Sequence, residues 1–179
     1  MTKHTLVALV EDKPGVLNRM ASLFRRRGFN IESIAVGHSE VPHLSRMTFV
    51  VNGAATMVEQ VRKQLDKVVD VVKVSDITGN DVVARELALI KVKANSSTRS
   101  EIIEIADIFR ANIVDVAADS LTIEITGDED KIDSLFNLLR GFGIKEIART
   151  GLIAMTRGGA SPLPVEKKPP KVKGQKTSK

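Results

Sequence analysis

The chain contains no cysteine, no tryptophan and no tyrosine, and only six phenylalanines in 179 residues. Without Cys there is no disulfide scaffold, thiolate zinc site, iron–sulfur cluster or cysteine nucleophile. The same lack suits a reducing compartment, and a cytoplasmic location is expected. No apolar run approaches the ~20 residues that span a bilayer, so no membrane partner is expected. Met1-Thr2-Lys3-His4 leads straight into a strand-like segment, and no signal-peptide core is read there. What is present is ordinary for a globular protein: 42% hydrophobic and 27% charged residues.

The formal net charge is +5. Residues 157–179 carry +6 of it and residues 1–156 only −1, so the basic excess belongs to the tail. The tail also holds Pro162, Pro164, Pro169 and Pro170. Such a composition buries too little apolar surface to offset ordering entropy, and a disordered basic tail is expected over 157–179. A near-neutral remainder weakens any nucleic-acid reading of the fold.

Periodicity organises the rest. Leu6 to Val10 reads as a buried strand, and Val16, Met20, Leu23 and Phe24 mark one face of a helix. Arg25-Arg26-Arg27 suits the negative end of that helix dipole, and Gly28 its left-handed end. Ile31, Ile34 and Val36 predict a second strand, and Met47, Phe49 and Val51 a third. Val58, Val61, Leu65 and Val68 predict a second helix, and Val71, Val72, Val74 and Ile77 a fourth strand. After a break at Thr78-Gly79-Asn80-Asp81 the order repeats. Leu87 to Val92 is a strand; Ile102, Ile105, Ala106 and Phe109 form a helix face with Ser97 or Thr98 as its N-cap. Two strands over Ile113–Val116 and Leu121–Ile125 follow, then a helix through Ile132, Leu135, Phe136 and Leu139. Asp128-Glu129-Asp130 reads as charge at that helix's N-terminus. A final strand region holds Ile144, Ile147, Leu152 and Ile153, with a break at Gly151.

The halves align weakly. Asn30-Ile31 matches Asn112-Ile113 at an offset of 82, while Gly53, Val58, Val61 and Leu65 match Gly127, Ile132, Leu135 and Leu139 at an offset of 74. Two copies of one βαββαβ unit are the economical reading. The fold class is α+β, with two ferredoxin-like domains built on antiparallel sheets. The domains are placed at 3–78 and 85–156, with a linker at 79–84 and the tail at 157–179. Units of ~75 residues are marginally stable alone, so pairing of copies or of chains is expected, as a dimer or larger assembly.

Glu11-Asp12-Lys13-Pro14-Gly15-Val16-Leu17 lies between a strand and a helix. Pro14 has a fixed φ suited to a helix start. Gly15 lets a ligand approach the backbone. Free amides at a helix N-terminus suit a carboxylate, and Asp12 could accept from an ammonium group. Together they would hold an α-amino acid. The alternative on the residues alone is that Asp12 caps the helix and Pro14-Gly15 only turns the chain.

Pro14-Gly15-Val16-Leu17, the βαββαβ order and Arg27-Gly28-Phe29-Asn30-Ile31-Glu32-Ser33-Ile34 resemble the ACT domain. More narrowly, they resemble the small, regulatory subunits of acetolactate (acetohydroxyacid) synthase. Leu44-Ser45-Arg46-Met47-Thr48, Gln64 to Val71 and Arg85 to Val92 fit the same family, and the likeness spans about residues 3–158. The resemblance implies a chain with no catalytic residues and no metal or cofactor of its own. Its partner would be a large catalytic subunit that uses thiamine diphosphate, Mg²⁺ and FAD. This chain would activate that partner and confer feedback inhibition by valine or a related branched-chain amino acid. The effector would bind between two ACT domains of a homodimer. Gly15, Val16 and Leu17 would supply amides for the carboxylate, and Asn30 would reach in from the partner protomer. Asp12 stands where the family commonly has Asn, and Gln60 on the second helix is a further contributor. In the second copy, Ala94-Asn95-Ser96-Ser97-Thr98-Arg99 has neither Pro nor Gly, and no effector site of the same kind is expected there.

Other readings are a stand-alone ACT-type amino-acid sensor and a nucleic-acid-binding module. RNA-binding sheets of this order display stacking aromatics, and Phe49 stands nearly alone here. His4, His38 and His43 lack metal-ligand spacing and are read as solvated. Neither glycine-rich nucleotide motif is present, and no nucleophile constellation is visible.

Overall fold

The computed structural model describes residues 2–159 together with Ser161 and Leu163. Among them the chain repeats one unit twice. The first copy is β1 (Thr2–Glu11), α1 (Val16–Arg26), β2 (Ile31–His38), β3 (Leu44–Gly53), α2 (Ala55–Leu65) and β4 (Val71–Asp76). The second is β5 (Val82–Lys93), α3 (Arg99–Ile108), β6 (Asn112–Ala117), β7 (Ser120–Gly127), α4 (Glu129–Leu139), a single 3₁₀ turn (Arg140–Phe142) and β8 (Ile144–Arg149). A short β9 (Ile153–Thr156) follows.

Both sheets are antiparallel, in the orders β2-β3-β1-β4 and β6-β7-β5-β8. This is the ferredoxin-like α+β arrangement expected. The second copy is shorter because residues 118–119 join β6 to β7, where residues 39–43 join β2 to β3.

Strand alternation sorts residues between two faces. Leu6, Ala8 and Val10 of β1 meet Met20 and Phe24 of α1 and Val58, Val61 and Leu65 of α2 in the first core. Phe24 and Phe49 pack there with ring centroids 5.2 Å apart at a tilted 36°. The second core repeats the plan, with Ile90 and Ile123 beneath Ile102 of α3 and Ile132 and Leu135 of α4. The other face of β1 presents Val7 and Leu9, and the chain covers them from a distance. The first four residues of β5 pair with β9, and Ala154, Val82 and Ala84 pack on Val7, Leu9 and Ile77.

Several expectations change. The linker at 79–84 is half strand, because β5 begins at Val82. α2 ends at Leu65, and Val68 reaches the core from the turn beyond it. Thr98 stands at the N-cap position of α3 as expected, but its side chain makes no capping bond; one turn earlier Asn95 Oδ1 accepts from the amides of Ser97 and Thr98, each at 3.0 Å. His4 is buried, not solvated, with Nδ1 3.2 Å from Asp76 Oδ2. The tail does contribute to packing: Leu163 is buried against Val7 and Leu9, and Arg157 pairs with Asp81 at 3.0 Å. The remainder of the expected tail disorder lies outside the described residues.

Candidate functional site

The first strand stops at Glu11 because its neighbours turn it. The Glu11 amide donates to the Asp70 carbonyl at 2.8 Å, and the Asp12 amide to the His43 carbonyl at 2.9 Å. Beyond this brace, Gly15 adopts φ +86° and ψ −9°, the third position of a type II turn, which L side chains rarely occupy. The Val16 amide closes that turn on the Lys13 carbonyl at 3.4 Å. Pro14 therefore shapes the turn before the helix, and α1 begins two residues later than Pro14.

This turn decides which amides are open. Val16 is spent on the turn and its side chain is buried. The amides of Gly15, Leu17 and Asn18 have no acceptor among the described residues. Among the described residues no side chain makes a capping bond to the helix, and the Asp12 carboxylate turns to His38 instead. Asp12 is half exposed, and its carboxylate lies 3.4 Å from Nδ1 of His38, at the end of β2. A Cβ built on Gly15 would meet nothing within 4 Å, so the space over the turn is open. The loop thus offers an acceptor for a cation beside unsatisfied amides at the positive end of a helix.

Asp12, Gly15, Val16 and Leu17 lie together on this loop. Asn30 does not join them. It precedes β2, while His38, the neighbour of Asp12, ends it. Eight residues of strand at ~3.3 Å each separate the two positions by roughly 26 Å, beyond the reach of one small ligand within a single chain. Gln60 is exposed midway along α2. Asn18 was not named from the sequence, and His38 was read there only as a solvated histidine. Asn18 could have been found by counting amides from a glycine cap, whereas His38 depends on the β1–β3–β2 pairing. The corresponding loop of the second copy is closed: Asn95 occupies the amides of Ser97 and Thr98, and its own amide donates to Thr98 Oγ1 at 3.1 Å.

A second concavity of about 370 Å³ lies between the two halves, lined by Glu32, Ser33, Glu86, Glu129, Arg149 and Gly151 among others. Its charges are already paired. Arg149 holds Glu86 and Asp133, and Lys3 bridges Glu32 and Glu129. The Glu86 carboxylate, more than any other group, pushes the Arg149 pKa up. Among the described residues no group of three or more His, Cys, Asp or Glu side chains is placed to hold a metal ion.

Comparison with known proteins agrees with this architecture. Residues 6–73 match the family described as AHAS small subunit-like ACT domain, and residues 85–158 match the family described as small subunit of acetolactate synthase. The chain is 59% identical over 156 residues to a probable acetolactate synthase small subunit of Archaeoglobus fulgidus, covering 87% of this chain and 98% of that one. It is 52% identical to the acetolactate synthase small subunit of Bacillus subtilis, covering 87% and 91%. The crystal structure of the acetolactate synthase small subunit from Thermotoga maritima superposes with a TM-score of 0.82 at 45% identity, covering 89% of this chain and all of that one. With its PG turn on an ACT-type half and an ordered second copy behind it, the chain belongs to the family of small, regulatory subunits of acetolactate synthase.

Proposed function

We propose that this chain activates the large catalytic subunit of acetolactate synthase and makes it sensitive to feedback inhibition by valine or a related branched-chain amino acid. The observation that carries this reading is the open start of α1. The Gly15, Leu17 and Asn18 amides face no acceptor, and Asp12 stands one turn away with its carboxylate exposed. An amino acid fits such a pair: carboxylate on the amides, ammonium toward Asp12. The half-exposed Leu17 adds apolar surface for a branched side chain.

A homodimer completes the site. Among the described residues β2 is an edge strand, bonded to β3 alone within its sheet, and it exposes Val36. Such an edge pairs readily with another chain. Antiparallel pairing of two β2 strands about a two-fold axis sets the Asn30 end of one protomer beside the His38 end of the other. Asn30 then reaches the partner's loop, which it cannot do in its own. Thiamine diphosphate, Mg²⁺ and FAD belong to the catalytic partner, and this chain contributes no reacting group. Regulation is linkage: the effector stabilises one arrangement of the pair, and that arrangement biases the large subunit.

The test is reconstitution. Acetolactate formation by the purified large subunit is measured alone, with this chain, and with this chain plus increasing valine. Activation that declines as valine rises is the expected result. An unchanged rate in both cases overturns the reading.

A further inference from the structure

An effector at the N-terminal turn must be felt elsewhere in the chain, and one strand touches both places. β2 starts next to Asn30 and ends at His38, beside Asp12. Its pairing with β3 is interrupted near its start: Ile31 faces Val51, Ser33 faces Val50, and Glu32 bulges between them. A bulge marks a place where a strand can change its bend.

The second half of the chain grips β2 at this bulge. Ser33 Oγ accepts the amide of Leu152 at 2.9 Å. Gly151 lies so close that a Cβ there would stand 2.7 Å from Ser33 Oγ and 3.1 Å from the Ile34 carbonyl oxygen. With φ at +81° as well, no other residue fits this position without moving β2 or the connection. The connection itself is pinned on its other side, because the Thr150 amide donates to the Leu87 carbonyl at 3.0 Å. Residues 150–152 join β8, which belongs to the second sheet, to β9, which lies on the first.

We infer that the Ser33–Gly151–Leu152 contact is the coupling element that reports occupancy of the N-terminal effector site to the C-terminal half. This rests on the effector reading given above. Effector binding shifts the ends of β2. The bulge at Glu32 converts that shift into a displacement of Ser33. Gly151 and Leu152 follow, because contact and hydrogen bond leave no slack. The β8–β9 junction then carries the change into the second sheet.

The test uses the reconstituted holoenzyme with Ser33→Ala, with valine as the probe. Three quantities are compared with the unmodified chain: activation without valine, valine binding to the small subunit by calorimetry, and inhibition of the holoenzyme. Activation and binding are expected to stay within about twofold, while the valine concentration for half-inhibition rises at least ~5-fold, as the lower end of typical couplings requires. Hydrogen exchange at the Leu152 amide accelerates in Ser33→Ala, and Ser33→Thr, which keeps the acceptor, restores inhibition. Unchanged inhibition in Ser33→Ala with a freely exchanging Leu152 amide overturns the coupling alone. Absence of valine binding by the unmodified chain overturns the effector reading and the coupling with it.

Discussion

Arg149 clasps Glu86 with two separate nitrogens, Nε to Oε1 at 2.9 Å and Nη2 to Oε2 at 2.7 Å. Glu86 is buried at 7% exposure, whereas the Arg149 side chain keeps a third of its surface in water. Removing the cation leaves a buried carboxylate without its counter-charge. Arg149→Ala is expected to lose ~3 kcal/mol, the low end for a broken buried pair, because Arg149 is partly solvated. Urea unfolding measures the loss. Arg149→Leu combined with Glu86→Leu should recover much of it; a double variant as unstable as the single one contradicts the account.

Gly15→Asp tests the turn. The substitution adds a negative charge over the open amides and forces φ +86° on a residue with a Cβ, a strain of roughly 1–2 kcal/mol. The holoenzyme should still be activated, while valine inhibition fades. Full valine sensitivity in this variant would show that the carboxylate sits elsewhere.

The distance between Asn30 and Gly15 yields a mixing experiment. Chains carrying Gly15→Asp and chains carrying Asn30→Ala are each expected to bind valine weakly. In a hybrid dimer one site collects both lesions and the other has none. Hybrids should therefore regain one strong site per dimer, read as calorimetric stoichiometry. If a single chain supplied the whole site, mixing would restore nothing.

Glu59 offers a titration. Arg62 binds it through Nε and Nη2 at 2.7 and 2.8 Å, and this holds the Glu59 carboxylate below the usual Glu range. A depressed carboxylate stabilises the fold above its unfolded pKa, and that contribution disappears as pH falls from about 4.5 toward 2. Both side chains are partly solvated, so the contribution is only ~0.3–0.5 kcal/mol. Carbon-detected NMR titration should place Glu59 below an ordinary Glu value, and Arg62→Ala should return it to that value.

Periodic features were legible. Val16, Met20 and Phe24 spell a helix face at i, i+4 and i+8, and Ile132, Leu135 and Leu139 spell another at i, i+3 and i+7, so the doubled βαββαβ order follows from local pattern. The Pro14-Gly15 turn was legible as a turn because Pro and Gly constrain backbone directly. Contacts fixed by tertiary pairing were not. Nothing near Ser33 announces that it accepts a bond from Leu152, 119 residues away. His4 looks like a solvated terminal residue until Asp76 of β4 is brought beside it. Asn95 escaped notice because a capping Asn three residues before Thr98 reads as ordinary loop composition.

β5 is also a statement about how this protein can be cut. Residues 86–93 hydrogen-bond to β7 within the second sheet, while residues 82–85 pair with β9 against the first. The boundary between the duplicated units therefore falls inside one continuous strand. A fragment beginning at residue 85 would leave behind Val82 and Ala84, and a fragment ending at residue 78 would bare Val7 and Leu9 to water. Although the two copies descend from one pattern, they are not exchangeable cassettes. A chimera between relatives should be joined in the loop at residues 118–119 or 39–43, where no strand serves both units.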